Sequence, residues 1–217
     1  MSQGEPVRFF EALTVAQRLL ELLQPACGRI AIAGSLRLLA PQVRDIELVA
    51  VARWADRPVG LLDDVTESVD ALEELVAAML WDGTLTARKV ENHRADGSVD
   101  LQTKLGPAFK ALVFDGIPVD LFVVRPPATW GVIFALRTGP GDWNTQLVMA
   151  CKAIGRRVEG GQVVAWHGAS GSWRAVPTPE ERDFFEALGQ PWVEPRERHP
   201  DRVRISRGVA AGVRPSA

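Results

Sequence analysis

The sequence predicts an α/β protein of the α+β type, with a mixed sheet and flanking helices in its larger part and a small α/β part after it. Three observations predict this class. Helical and strand-like apolar patterns alternate in the first half of the chain. Two apolar runs flank an Asp-Gly turn within residues 109–124, and the pattern changes after Pro126-Pro127.

Two helices are predicted in the first part. Residues 9–23 place Phe and Leu side chains on one stripe at helical spacing, and Pro25 ends that pattern. Residues 66–81 also have helical spacing, with Thr66 or Ser68 as a possible N-cap.

The strands of the first part are predicted from short apolar runs. Residues 29–34 and 45–52 are typical of buried strands. Residues 109–124 are two apolar runs around Asp115-Gly116, a turn that is typical of a β-hairpin.

The second part repeats the mixture on a smaller scale. Its predicted elements are a helix ending at Gly139, a helix over residues 142–155 with Asp142 as N-cap and Gly155 as C-cap, a hairpin made of "QVVAWHG" and "SWRAVP", and a helix within residues 178–189. We therefore divide the chain into residues 1–126, residues 127–199 and a tail, residues 200–217, which we expect to be disordered.

Composition excludes several classes of protein. The chain has 217 residues and a net charge of -2, with no apolar run long enough to cross a membrane and no pattern typical of a signal peptide. Cys27 and Cys151 are far apart and the three His residues are scattered, so we expect a cytoplasmic protein with free thiols and no zinc site. Residues 1–130 hold 13 Lys/Arg and 18 Asp/Glu (net -5), whereas residues 131–217 hold 12 and 9 (net +3). The basic part could face a polyanion, but on charge alone an ordinary solvated surface is the favoured interpretation.

Three acidic residues interrupt the predicted strands. Asp45 and Glu47 are two positions apart, so they point to the same side of a strand, and Asp120 lies in a second apolar run. Burying such carboxylates without a partner is costly, so we expect a cation among them. Carboxylates are ligands that Mg²⁺ and Mn²⁺ prefer, and two such ions can clamp an attacking hydroxyl and a leaving pyrophosphate.

The turn after the first predicted strand fits the same chemistry. Gly34-Ser35 could present backbone N–H groups and a hydroxyl to a phosphate, and Arg37 could add positive charge. Each motif alone also has a structural explanation. A Gly-Ser turn after a strand is common, Asp45 and Glu47 could lie on the solvent face of an edge strand, and Asp120 could face outward. Their combination indicates a site.

The whole set of motifs resembles the polymerase-beta-type nucleotidyltransferase superfamily, in which a Gly-Ser turn precedes an acidic pair and a third acid lies on a later strand. The second part resembles the thumb of X-family DNA polymerases more narrowly. Its "LRTGPGDWNTQLVMACKAIG" is similar to the thumb signature, and "TPEERDFFEALGQPWVEPRER" is similar to the terminal segment with its Glu194-Pro195-x-x-Arg198 motif. The resemblance covers roughly residues 28–199.

This resemblance implies a nucleotidyltransferase palm followed by a small α/β thumb. It implies that Asp45, Glu47 and Asp120 are catalytic acids that hold two Mg²⁺ or Mn²⁺ ions, with Asp120 helping to activate the primer 3′-hydroxyl. It implies a nucleotide-binding set made of Gly34, Ser35, Arg37, Leu136, Arg137, Thr138, Gly139, Trp143 and Asn144. The implied partners are a nucleoside triphosphate and a DNA primer-template or gapped DNA.

The chain departs from the family pattern at several positions. Glu47 stands where polymerases usually have Asp, which would change the metal geometry. Leu38 replaces a second Arg, and Leu136-Arg137 replaces the aromatic pair that screens the sugar. The N-terminal lyase domain and helix-hairpin-helix modules of the family are not expected here.

The sequence therefore predicts a DNA-directed DNA polymerase of the X family that adds dNMP to a DNA 3′-hydroxyl, in gap filling or repair. One alternative is an untemplated nucleotidyltransferase that modifies RNA, a protein or a small molecule. Another is a non-catalytic nucleic-acid-binding module.

Overall fold

The chain divides into two compact units. A computed structural model describes residues 5–58, 66–93 and 97–205. The first unit is Met1–Val124 and the second is Arg125–Ala217, so the division falls two residues before the expected one at Pro126-Pro127. Among the helices within the described ranges, none combines the length and the apolar character that a membrane crossing requires.

The first unit contains three α-helices, a 3₁₀ turn and eleven strands in the described residues. The helices are α1 (Phe9–Leu23), α2 (Gly34–Arg37) and α3 (Ala71–Trp81), and Gln24–Ala26 forms the 3₁₀ turn. The strands are β1 (Val7–Arg8), β2 (Cys27–Ile32), β3 (Gln42–Val43), β4 (Ile46–Ala52), β5 (Trp54–Pro58), β6 (Thr66–Asp70), β7 (Thr86–Ala87), β8 (Lys89–His93), β9 (Val99–Thr103), β10 (Phe109–Phe114) and β11 (Ile117–Val123).

A five-stranded mixed sheet is the centre of this unit. Its strand order is β2-β4-β11-β10-β7. Strands β4 and β11 are parallel, and the other neighbouring pairs are antiparallel. The predicted class is thus confirmed as a mixed α/β protein with a mixed sheet and several helices.

One face of the sheet packs against helices. In β4 and β11, alternate apolar residues join a core that also contains the buried stripe of α1. The shared members are Ile46, Leu48, Ala50, Val119, Leu121, Val123, Ala12, Ala16, Leu19 and Leu23. Because successive strand residues point to opposite faces, Glu47 and Asp120 lie on the face away from this core.

The predicted helix at residues 66–81 is wrong over its first five residues. Thr66–Asp70 is strand β6, which pairs with β5, and α3 begins at Ala71. Asp70, rather than Thr66 or Ser68, is the N-cap, since its Oδ1 accepts a hydrogen bond from the Glu73 N–H at 2.9 Å. A cross-strand partner overrides the helical pattern here. The hairpin around Asp115-Gly116 is observed, with both residues at positive φ.

The second unit packs helices on a small antiparallel sheet. Its elements are α4 (Trp130–Leu136), α5 (Gly141–Ala153), β12 (Arg156–Glu159), β13 (Gln162–His167), β14 (Ser172–Val176), α6 (Glu181–Ala187) and the 3₁₀ turns Pro195–Glu197 and Pro200–Arg202. Strand β12 was not predicted, and it turns the predicted hairpin into a three-stranded sheet. The N-cap of α5 is Pro140, whereas Asp142 lies inside the helix.

The terminal segment is attached to α6 by a buried ion pair. Arg198 Nη2 lies 2.8 Å from Glu181 Oε1, and both side chains are almost fully buried. Trp192 Nε1 donates to the same Glu181 carboxylate at 3.2 Å. In the expected tail, the Arg204 N–H donates to Gln190 Oε1 at 2.9 Å, and residues 206–217 lie outside the described residues.

Candidate active site

Two of the predicted acids are neighbours across the centre of the main sheet. Asp120 on β11 is the direct partner of Glu47 on the parallel strand β4. Paired residues on adjacent strands share a face, so the two side chains emerge side by side. The Asp120 side chain is 17% exposed, so it is largely removed from water. The register therefore places two carboxylates together on the sheet face that does not carry the helix-packed core.

Asp45 lies just outside the strand in which it was predicted. Strand β4 begins at Ile46, so Asp45 is the last residue before it and is half-buried. Burial raises the pKa of Asp45 above its ordinary value of 3.8, while the positive charges of Arg88 and Arg44 partly oppose that rise. The positive charge of Arg88 therefore acts on the Asp45 carboxyl group.

Gly34 holds the turn after β2 against the Glu47 carboxylate. Its φ is +57°, a left-handed conformation that favours glycine. A Cβ built on Gly34 would lie 1.8 Å from Glu47 Oε2, so a side chain there would displace the Glu47 carboxylate. The Ala33 N–H also donates to the Glu47 carbonyl oxygen at 2.8 Å, which fixes the turn to β4. The Gly34 turn and Glu47 are therefore in direct contact.

Ser35 follows within the short helix α2. Its Oγ is buried and forms no hydrogen bond with the described residues. A buried hydroxyl without a partner is uncommon in folded proteins and commonly indicates that a water, ion or ligand completes it. Arg37, at the end of α2, is half-buried.

Arg88 is a site residue that the sequence reasoning missed. It lies between β7 and β8, and its N–H donates to the Ala111 carbonyl oxygen at 2.8 Å. Ala111 is the antiparallel partner of Asp120, and the Arg88 guanidinium forms an ion pair with the Asp120 carboxylate. Both side chains are mostly buried, at 16% and 17% exposure. No local pattern marks Arg88, since its pairing depends on long-range sheet register.

The acids and Arg88 form a mixed-charge cluster. Within residues 5–58, 66–93 and 97–205, no three Asp, Glu, His or Cys side chains are gathered closely enough to hold a metal ion. The Asp120 carboxylate is paired with the guanidinium of Arg88. A surface cavity of about 400 Å³ lies elsewhere in this unit, lined by Arg18, Phe114 and Asp115 among others, and contains none of the three acids.

The predicted nucleotide-binding residues of the second unit form the turn between α4 and α5. Thr138 is fully buried and its Oγ1 donates to the Phe134 carbonyl oxygen at 2.7 Å. Asn144 Nδ2 donates to the carbonyl oxygens of Leu136 at 2.7 Å and Gly139 at 3.1 Å. These bonds tie the start of α5 to the end of α4. Asn144 Oδ1 is buried and accepts no hydrogen bond from a described residue.

Trp143 belongs to the core of the second unit. It is 1% exposed, and its ring centroid lies 6.3 Å from that of Phe185. A Cβ on Gly139 would lie 2.4 Å from Trp143 Cδ1, so the glycine lets the turn close over the indole. Trp143 thus packs between the turn and the core, whereas Arg137 is exposed to solvent at the turn.

The predicted site residues thus fall into two groups. Glu47, Asp120 and the Gly34-Ser35 turn are neighbours in the first unit, with Asp45 just before the strand that carries Glu47, and residues 136–144 form one compact turn in the second. Comparison with known protein families finds no family that matches the chain. Comparison with curated proteins finds none with significant similarity.

Proposed function

We propose that the protein is a nucleotidyltransferase of the polymerase-beta type, similar to X-family DNA polymerases, that adds dNMP to a DNA 3′-hydroxyl. One observation carries the proposal. Glu47 and Asp120 are paired on adjacent parallel strands while Gly34 packs against the Glu47 carboxylate. This arrangement joins a carboxylate pair to a turn suited to phosphate, which is what transfer from a triphosphate needs.

The chemistry of the three acids, rather than their spacing in this structure, suits the metal ions that this family uses. Asp45, Glu47 and Asp120 supply only carboxylate oxygens, the ligands preferred by Mg²⁺ and Mn²⁺. Two bound ions would stabilise negative charge on the reacting phosphate and lower the pKa of the acceptor hydroxyl. Binding would require Arg88 to give up its contact with Asp120, since both cations compete for one carboxylate.

The residues of the first unit have distinct tasks in this proposal. The unpartnered Ser35 Oγ donates to a phosphate oxygen, and Arg37 adds positive charge nearby. Asp120 accepts the proton of the acceptor hydroxyl, and the hydroxyl oxygen forms a bond to the α-phosphorus. The bond from that phosphorus to pyrophosphate breaks, so the electron pair leaves with pyrophosphate.

The assignment of residues 136–144 to the sugar and base of the nucleotide rests on the resemblance to the thumb signature. Asn144 Oδ1 is buried and accepts no hydrogen bond from a described residue, so a base edge would reach it only if the turn opened, and Arg137 is exposed on the turn. Leu136, Thr138 and Gly139 shape the turn, and Trp143 supports it. Because Leu136-Arg137 lacks aromatic rings, the barrier against a 2′-hydroxyl is expected to be weaker than in typical family members.

A non-catalytic nucleic-acid-binding module is the second candidate. The Arg88–Asp120 ion pair favours it, because that pair already compensates the charge of one acid without a metal ion. The two candidates differ in what the acids do. In an enzyme the carboxylates act in the reaction, whereas in a binding module they only stabilise the sheet.

Nucleotide incorporation by acid variants tests the proposal. Asp120→Asn and Asp45→Asn should each lower the rate of dNMP addition to a primer by about 10²-fold or more, because charge stabilisation in the transition state is lost. Asp115→Asn is the matched control. It changes an exposed acid in the same hairpin, whose ion pair with Arg18 (2.5 Å) lies at the surface, so its rate should stay close to wild type.

The outcomes separate the candidates. Folded Asp120→Asn protein with wild-type activity would refute the assigned acid, and no incorporation by the wild type with Mg²⁺ or Mn²⁺ would favour the binding module. Gapped duplex, primer-template and a lone single strand are supplied with one dNTP at a time. Addition that follows the templating base supports a polymerase, whereas equal addition to the lone strand indicates the untemplated transferase.

A further inference from the structure

The three-stranded sheet of the second unit has one face outside its core. Val158, Val163 and Val176 are cross-strand neighbours that pack into the core of this unit. Side chains alternate along each strand, so Arg157 on β12, Trp166 on β13 and Trp173 on β14 lie on the opposite face. That face has no part in the proposed reaction.

Arg157, Trp166 and Trp173 form an aromatic and cationic surface, the indole–guanidinium surface. Trp166 and Trp173 are direct partners on β13 and β14, and their ring centroids lie 5.7 Å apart at an interplanar angle of 67°. The Arg157 Cζ lies 4.1 Å from the centroid of the Trp173 ring. A guanidinium at this distance over an indole is held by a cation–π contact, which presets its orientation.

The outer side of this arrangement is open. Arg157 is exposed although its guanidinium lies over an indole, and both Trp side chains are half-buried. A planar guanidinium has two faces, and the indole covers one of them. The second face can therefore receive another planar group, and nucleobases stack on guanidinium planes and on aromatic side chains in this way.

Charge around the surface favours an anion. The three strands carry Arg156, Arg157 and Arg174 against a single acid, Glu159; Arg157 and Glu159 lie on this face, and Arg156 and Arg174 lie on the other face of the same thin sheet. Residues 131–217 as a whole have 12 Lys/Arg and 9 Asp/Glu, a net charge of +3. A face that offers planar stacking groups within a positive field matches a strand that has both bases and phosphates.

A second copy of the chain fits this face less well. The centre of a protein–protein interface is depleted in Glu, Asp and Lys, whereas Trp and Arg are enriched there. Here the acid Glu159 lies on the face itself, and Val164, the apolar residue opposite Arg157, is only 6% exposed. Apart from the two indole rings, little apolar surface is left for a partner protein to bury.

We propose that the indole–guanidinium surface binds an unpaired nucleotide of a single-stranded nucleic acid, with the base stacked on Arg157 and the phosphates in the positive field of this sheet. This binding is separate from nucleotidyl transfer and does not rest on the proposed function. Through this surface the second unit would bind an unpaired strand.

Fluorescence anisotropy tests this with a labelled oligothymidine of about 12 nucleotides, within the usual site sizes for single strands. An abasic strand of equal length has the same phosphates without bases, and oligouridine distinguishes RNA from DNA. EDTA is present and nucleotides are absent, so the result is independent of catalysis. The full-length protein is used throughout, and thermal unfolding checks that each variant is folded.

The Arg157→Lys variant keeps the charge and loses the planar group. It should bind oligothymidine about 5- to 10-fold more weakly than wild type, given the usual contribution of stacking one base, and should lose the preference for oligothymidine over the abasic strand. Its salt dependence should be unchanged, whereas Arg157→Ala should lower the salt slope by about one. Arg182→Lys is the matched control, since Arg182 lies 4.3 Å over the Trp192 ring, and it should bind like wild type.

Several results would overturn the proposal. These are the absence of single-strand binding by the wild type, equal affinity for the abasic strand and oligothymidine, or an equal loss in Arg182→Lys. Self-association that Arg157→Ala abolishes, without oligonucleotide binding, would assign the face to a second copy of the chain.

Discussion

Gly34 shows at the scale of one residue how a missing side chain shapes the candidate site. Because of its positive φ and the 1.8 Å distance from a built Cβ to Glu47 Oε2, an alanine there would be strained and would displace the Glu47 side chain. Gly116 is a useful contrast, because its φ is +78° but no described atom lies within 4 Å of its built Cβ. The two glycines share the backbone requirement and differ only in the close contact.

Gly34→Ala should therefore destabilise the protein more than Gly116→Ala. Both variants incur backbone strain of about 1–2 kcal/mol, and Gly34→Ala adds about 1–3 kcal/mol of overpacking against Glu47. Urea unfolding measures both free energies. Equal losses in the two variants would show that the contact with Glu47 relaxes freely. Under the proposed function, Gly34→Ala should also lower nucleotide incorporation, because the carboxylate must shift.

At the scale of an element, the start of α3 depends on a cap that the local pattern did not reveal. Asp70 ends β6 and caps α3 in one position, and Glu73 and Glu74 add negative charge to the first turn. Negative side chains at this end interact favourably with the helix dipole. One residue thus connects the β5–β6 hairpin to the helix.

Asp70→Ala should lower the free energy of unfolding by about 1 kcal/mol through loss of the cap. Ser68→Ala is its control, because Ser68 is an exposed residue of β6, and its change should stay within about 0.5 kcal/mol. Chemical denaturation compares the two. A larger loss in Ser68→Ala would mean that the helix begins earlier than α3 does here.

At the scale of the whole molecule, each unit has its own apolar core and its own free cysteine, half-buried at Cys27 and buried at Cys151. Cys27 packs against the core of the first unit, and Cys151 belongs to the core of the second. Burial raises the pKa of each thiol from 9.0 to about 11. The unreactive thiol form therefore persists in the folded protein at a pH where an unfolded chain ionises.

Both thiols should react slowly with iodoacetamide at pH 9 in the folded protein and rapidly in urea, with mass spectrometry identifying the modified residue. Because the folded pKa values are raised, the stability linked to each thiol is present below pH 9 and is lost as the pH rises toward 11. A Cys151→Ala variant should show a shallower loss over that range. Fast labelling of the folded protein, or an unchanged pH slope, would contradict the buried thiols.

Features that depend on neighbours along the chain were predictable from the sequence by itself. The helix of residues 9–23 and the hairpin around Asp115-Gly116 follow from short-range spacing and turn chemistry, and both are observed. Taken together, these local patterns also predict the α/β class. Asp45, Glu47 and Asp120 could also be singled out, because charged residues within apolar runs are conspicuous without any knowledge of the fold.

Only the tertiary structure decided which of these residues meet. The parallel register that pairs Asp120 with Glu47, the contact of Arg88 with Asp120 and the burial of Trp143 all join segments that are distant in sequence. Pairing with β5 likewise made a strand of Thr66–Asp70, where spacing favoured a helix. The physical reason is common to all four, since strand register and burial minimise the free energy of the whole chain, and local propensity is only a small part of that sum.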